Sequence, residues 1–310
     1  MHSRIFSLTI VICILVFFSN LYAKEPNFPV EAEVFVAPFD QCEGIAFNGE
    51  GRLFVTGNQA LHEIETDGAT HKIVDLYSNL GLAGIGERDL MVADFGLTNA
   101  FRHDRNNDGV VWRITPAGVK KEFATGIGDP NFIVVRKDGT LLVTDDATNE
   151  IFTIDSKGTV KLFCTAVNHP NGLALSADES VMYVAQIFKS IRPIVSDDRV
   201  WAVSLNDDKP AGAAEVIAHS GDGASNDGLA MDIQGRLYIC ANMIGKILRY
   251  DPKTLELITI TENVFGAASI AFGEGHFDHE SIYVTTTYSQ GRGGKVFRIP
   301  VGVKGAKLNR

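Results

Sequence analysis

Asn226-Asp227-Gly228-Leu229-Ala230-Met231-Asp232, followed by Gly235-Arg236-Leu237-Tyr238-Ile239-Cys240, decides the fold. It is a short β-rich run, a turn built on Asp and Gly, and a second β-rich run. The same pair recurs as Glu43-Gly44-Ile45-Ala46-Phe47 with Gly51-Arg52-Leu53-Phe54-Val55-Thr56, and as Asn131-Phe132-Ile133-Val134-Val135 with Gly139-Thr140-Leu141-Leu142-Val143-Thr144. Asn171-Gly172-Leu173-Ala174-Leu175 with Val181-Met182-Tyr183-Val184-Ala185 is a fourth copy. Ala268-Ser269-Ile270-Ala271-Phe272 with Ser281-Ile282-Tyr283-Val284-Thr285 is a looser one, and Leu80 to Asp94 fills the remaining gap. A third β-rich run closes each copy, as at Val111-Trp112-Arg113-Ile114 and Val296-Phe297-Arg298-Ile299. Six copies at about forty residues each, with no helical periodicity, predict an all-β chain folded as a six-bladed β-propeller. The alternating segment Glu31 to Phe39 precedes the first copy. It is expected to pair beside Val296 to Val301 as the outer strand of the last blade, closing the ring and removing a sheet edge.

Residues 1–23 are set apart from this pattern. His2 and Arg4 precede an apolar run from Ile5 to Phe18, and Leu21-Tyr22-Ala23 offers a cleavage site. The run has signal-peptide length and falls short of the roughly 20 apolar residues a span requires. The expectation is a signal peptide at 1–23, one propeller domain at 24–310, a periplasmic or secreted protein, and no stable membrane insertion after cleavage. The net charge of −10 offers no basic stripe for phosphates, which argues against nucleic acid and anionic membrane as partners. Beyond Cys13 the chain has Cys42, Cys164 and Cys240, an odd number without CxxC or metal-type spacing. Cys240, within an apolar strand, reads as a buried inert thiol.

Function is expected where the repeat departs from its own rule. A residue opening the innermost strand of a blade points at the central axis, where an apolar or small side chain such as Ala268 is expected. Four copies carry Glu43, Asn131, Asn171 and Asp227 instead. Two carboxylates and two amide carbonyls make a hard-cation site suited to Ca²⁺, with Mg²⁺, Mn²⁺ or Zn²⁺ as substitutes. Asn-Gly and Asp-Gly are also common turn pairs, but four at equivalent places exceed what turns require.

Gln41-Cys42-Glu43-Gly44, Pro130-Asn131, Asn168-His169-Pro170-Asn171-Gly172 and Asn226-Asp227-Gly228 together resemble the SMP-30/gluconolactonase/LRE-like family of six-bladed propellers, with paraoxonase-type lactonases as distant relatives. The resemblance implies that Glu43, Asn171 and Asp227 hold a divalent cation, that Asn131 holds the cation or the substrate beside it, and that Asp227 is the general base. It implies a small-molecule substrate, a lactone or related ester, hydrolysed with metal assistance. His169, two residues before Asn171, is a second candidate for taking the proton, with His103 and His219 behind it. The family's sugar-lactone hydrolases usually carry an arginine two places before the third-blade asparagine, and here that place is Asp129. The alternative is a non-catalytic ligand- or protein-binding propeller of the NHL or strictosidine-synthase-like kind, with a structural cation. No Gly-x-Ser-x-Gly element supports a serine nucleophile. Asp104 to Gly109 matches the first half of an EF-hand loop, but Thr115 stands where a Glu is needed, so a polar hairpin tip is expected, with a weak surface Ca²⁺ site as the alternative. Asp197-Asp198 and Asp207-Asp208 read as solvated loop charge.

Overall fold

The computed structural model describes residues 25–97, 106–206, 209–287 and 294–310. The segment read as a signal peptide, together with His103, Asp104, Asp207 and Asp208, lies outside the described residues. Six antiparallel sheets follow one another along the chain, each running from the axis to the rim. Blade 1 comprises Cys42–Phe47, Leu53–Gly57, Ala60–Ile64 and Thr70–Asp75, and blade 2 comprises Leu82–Ile85, Asp89–Asp94, Gly109–Ile114 and Lys120–Ile127. Blade 3 comprises Pro130–Val135, Leu141–Asp145, Ile151–Ile154 and Val160–Cys164. Blade 4 comprises Pro170–Leu175, Val181–Gln186, Arg199–Asn206 and Glu215–His219, with a hairpin, Phe188–Ile191 and Ile194–Ser196, inserted after its second strand. Asn226–Met231, Leu237–Ala241, Lys246–Asp251 and Glu256–Thr261 form blade 5. Blade 6 runs Ala267–Phe272, Ser281–Thr286, Gly294–Pro300 and then Glu33–Phe39. The expected closure is present: Glu33 pairs with Arg298 and Val34 with Phe297.

The burial gradient follows from this stacking. Second strands such as Leu53–Gly57 and Leu237–Ala241 are buried at every position, because blades cover both of their faces. Rim strands such as Thr70–Asp75 are exposed or half-buried throughout. The core is divided into six apolar clusters, one at each interface between adjacent blades; Leu53, Val55 and Ile64 of blade 1, for example, pack with Tyr283 and Val296 of blade 6. Such a ring is stabilised mainly by apolar burial between sheets.

The last ten residues cross one end of the channel. Ile233 N–H donates to the Lys304 carbonyl and Ala306 N–H to that of Met231 in blade 5. Asn309 Nδ2 donates to the Val135 carbonyl of blade 3 at 3.2 Å and to Glu179 of blade 4 at 2.9 Å. Arg310 pairs with Glu274 of blade 6. One segment thus ties four blades together at the end opposite the strand starts.

Candidate functional site

Five of the six innermost strands carry the same irregularity at their first residues. Cys42 pairs with Gly57, yet Ile45 pairs with Val55, so an extra residue is accommodated between them. The same shift occurs at Pro130/Ile133, Pro170/Leu173, Asn226/Leu229 and Ala267/Ile270. A β-bulge of this kind bends the strand and re-aims a side chain. The residues inside the bulges are those at Glu43, Asn131, Asn171, Asp227 and Ala268. Blade 2 keeps a regular register, and Leu80 precedes its first strand at the equivalent place.

Backbone contacts between blades hold these positions. Thr56 Oγ1 accepts the Gly44 N–H at 2.8 Å and donates to the Leu80 carbonyl of the next blade at 2.7 Å. Thr144 accepts the Phe132 N–H at 3.0 Å and donates to the Asn171 carbonyl at 2.9 Å. Thr285 bridges in the same way from the Ser269 N–H to the Glu43 carbonyl. The glycine after the channel residue has a steric cause: a Cβ at Gly172 would overlap the Asp227 carbonyl oxygen, and one at Gly44 that of Leu80.

Glu43, Asn131, Asn171 and Asp227 all line one cavity of about 230 Å³ on the axis, so the four positions read from the repeat are brought together. Asp146, Asn242, Ser225 and Thr287 line it too, with Leu80, Phe95, Ile187, Phe188 and Met243. Asn131 Nδ2 donates to Asp146 Oδ2 at 3.0 Å, and Asn242 Nδ2 to Asp227 Oδ2 at 2.9 Å. The first bond leaves the Asn131 carbonyl oxygen as the open end of its amide. Asp146 Oδ1 and Asn171 Oδ1 are buried with no hydrogen-bond partner among the described residues. Orphaned buried oxygens are rare in native proteins and call for a specific explanation.

The electrostatics point the same way. Burial first, then the Asp227 and Asp146 charges, hold the Glu43 carboxyl well above the usual range, against a hydrogen bond from Asn131. Burial and the neighbouring Asp145, Asp129 and Asp227 raise Asp146 likewise. Asp227 is pushed up to about 7 by burial, opposed by the Asn242 bond. Among the described residues no Lys, Arg or His lines the cavity to offset these charges. The donor set is carboxylate and amide oxygen. No group of three or more His, Cys, Asp or Glu side chains among the described residues has metal-binding geometry.

His169 lies outside this lining. Its Nδ1 is 2.8 Å from the Asp146 carbonyl, which can only accept, so Nδ1 carries a proton. The ring meets Phe188 edge-on, 6.5 Å between centroids. His219 is on an exposed strand, 3.2 Å from Asp198. Asp129 is fully buried, accepts a hydrogen bond from Asn106 Nδ2 at 3.0 Å, and is not among the lining residues. Asp197 corrects the reading as solvated loop charge: it is buried and bound by Arg199 Nε at 2.9 Å. Cys42 and Cys240 are buried and unbridged, and Cys164 is half-buried and unbridged.

Sequence reading missed Asp146 and Asn242, although a signal for them exists. Both stand immediately after the second strand of their blade, and Phe95, Ile187 and Thr287 stand at the same place in blades 2, 4 and 6. All five line the cavity.

Comparison with known proteins fits this architecture. The profile of the SMP-30/Gluconolactonase/LRE-like region matches residues 57–288. A pentonolactonase of Haloferax volcanii is 27% identical over 177 residues, covering 52% of this chain and 57% of that protein, so the chain matches little more than half the length of that relative. A calcium-binding regucalcin from Agrobacterium tumefaciens superposes with a TM-score of 0.72 at 21% identity, over 91% of this chain and 98% of that one. A gluconolactonase from Xanthomonas campestris gives 0.67 at 19% identity, over 85% and 88%. At such identities the superpositions establish the shared propeller, and the profile match establishes kinship. The chain belongs to the SMP-30/gluconolactonase/LRE-like family.

Proposed function

We propose that this protein is a divalent-cation-dependent hydrolase of a lactone or related ester, working in the axial cavity. The observation that carries the reading is the pair of orphaned buried oxygens, Asp146 Oδ1 and Asn171 Oδ1, on residues sharing a cavity with Glu43 and Asp227. Two buried acidic side chains, Asp146 and Asp227, with the half-buried Glu43 beside them, are costly without a counter-charge. The relatives named as pentonolactonase and gluconolactonase support the reaction class.

The residues present fit a hard cation. Glu43, Asn171 and Asp227 would hold it, with the Asn131 carbonyl and Asp146 supplying further oxygen, and Ca²⁺ suits such a set. When bound, the ion supplies Lewis-acid polarisation of the ester carbonyl and a counter-charge for the oxyanion. Asp227 takes the proton of the attacking water, its carboxylate oriented by the Asn242 amide. Water oxygen bonds to the carbonyl carbon, the ring C–O bond breaks, and the leaving alkoxide receives a proton to give a hydroxy acid. His169, the other candidate read from the sequence, lies outside the cavity lining, which leaves this proton to Asp227.

The test is a lactone and ester panel assayed with Ca²⁺ and with chelator. Hydrolysis that requires the cation, and that falls by about 10²–10⁴ in kcat/KM in Asp227→Asn, supports the reading. Turnover indifferent to chelator and to that substitution defeats it. The non-catalytic binding propeller predicts a different pattern, in which chelation lowers Tm and no panel member turns over.

A further inference from the structure

The floor of the cavity is oxygen, while much of its wall is carbon. Leu80 and Phe95 come from blade 2, Ile187 and Phe188 from the start of the blade 4 insertion, and Met243 from blade 5. Met243 is 62% exposed, and Ile194 and Val195 on the facing strand of the inserted hairpin are exposed as well. Blade 2 presents Leu80 where four other blades present an oxygen.

The two hydroxyls of the wall are engaged with the protein itself. Ser225 Oγ donates to Ser196 Oγ at 2.8 Å, and Thr287 Oγ1 to the Gly266 carbonyl at 3.3 Å. The Asn131 and Asn242 amides donate to Asp146 and Asp227. A polyhydroxylated ring lying against Leu80, Phe95, Ile187, Phe188 and Met243 would leave the hydroxyls on that side unpaired, and each buried unpaired hydroxyl lowers affinity by about tenfold or more. An anionic substrate would meet Glu43, Asp146 and Asp227 with no Lys, Arg or His among the described lining residues.

We infer that the site takes an uncharged lactone bearing an alkyl or aryl substituent, which packs against Leu80, Phe95, Ile187, Phe188 and Met243, in preference to a sugar lactone. This rests on the lactonase reading above and names its substrate class. Water attacks the lactone carbonyl as before, and the substituent stays on the carbon bearing the released hydroxyl.

The experiment uses the full protein with Ca²⁺ and γ-lactones of one ring size: unsubstituted, with alkyl chains of increasing length, with phenyl, and a pentono-1,4-lactone. The expected result is a rise in kcat/KM of about fourfold per methylene until the wall is filled. The longest alkyl lactone should exceed the pentonolactone by about a hundredfold or more. Phe188→Ser and, at the exposed rim, Met243→Ser should flatten the chain-length gradient. A pentonolactone turned over as well as the alkyl lactones overturns the inference and leaves the lactonase reading standing. Turnover of no lactone defeats the lactonase reading itself. Titration with the matching unhydrolysed lactams then decides the ligand class: chain-length-dependent binding that Met243→Ser weakens supports it, and equal or absent binding overturns it.

Discussion

At the end of the channel crossed by residues 301–310, buried charge is paired. Asp232 takes Arg236 Nε at 2.7 Å, and the same guanidinium reaches Glu25 at 2.6 Å. Arg136 and Glu179, both buried, lie 3.4 Å apart. At the other end Glu43, Asp146 and Asp227 share a cavity that no described cationic side chain lines, and two oxygens there lack any described partner. The same strands supply both ends, Asn226–Met231 running from Asp227 to the Asp232 turn. Each of these charges has an opposite charge beside it, and the pairs brace the blades. Unpaired charge at equal depth persists only where something else completes it.

This contrast can be broken at either end. The largest effect is expected at the braced one, where Asp232→Ala takes from Arg236 the buried one of its two carboxylate partners and removes the acceptor of the Gln234 and Arg236 N–H groups. A loss of about 3–5 kcal/mol is expected in urea unfolding. Asp146→Asn at the open end should cost far less in chelated protein, because it removes a repelling charge. An equal loss at both ends would erase the distinction.

The pH dependence of chelated protein sharpens it further. The Asp227 carboxyl titrates near 7 in the folded protein and near 3.8 when unfolded. Between those values the folded state holds a proton that the unfolded chain has released, so stability falls as pH rises from about 4 to about 7. Tm measured across this window should decline with chelator and decline much less with saturating Ca²⁺. A flat chelated profile would show that the open end carries no unmet charge. The smallest effect is expected from Thr56→Val, which removes the bridge between Gly44 N–H and the Leu80 carbonyl, at about 1–2 kcal/mol.

Much of this was legible in the residues. The alternation within each copy marked the strands, and the polar residues before Gly44, Gly172 and Gly228 marked three channel positions, Asn131 being the fourth. Leu80 escaped notice because an apolar residue at a channel position leaves no trace in an apolar repeat. Asp146 and Asn242 escaped because which side chain leaves a second strand toward the axis depends on the bulge in the strand beside it. Asp197 looked like loop charge because Asp-Asp in a polar stretch carries no sign of the neighbour that buries it.

The sequence by itself determined the propeller, its closure by an N-terminal strand and the four oxygen-bearing positions, since strand periodicity and repeat spacing are local properties of the chain. Only the tertiary structure decided that Asp146 joins those four, that Asp129 turns away from them, that five apolar side chains wall the cavity and that residues 301–310 cross its far end. These depend on which blades meet across the axis, and that proximity exists only once the ring has closed.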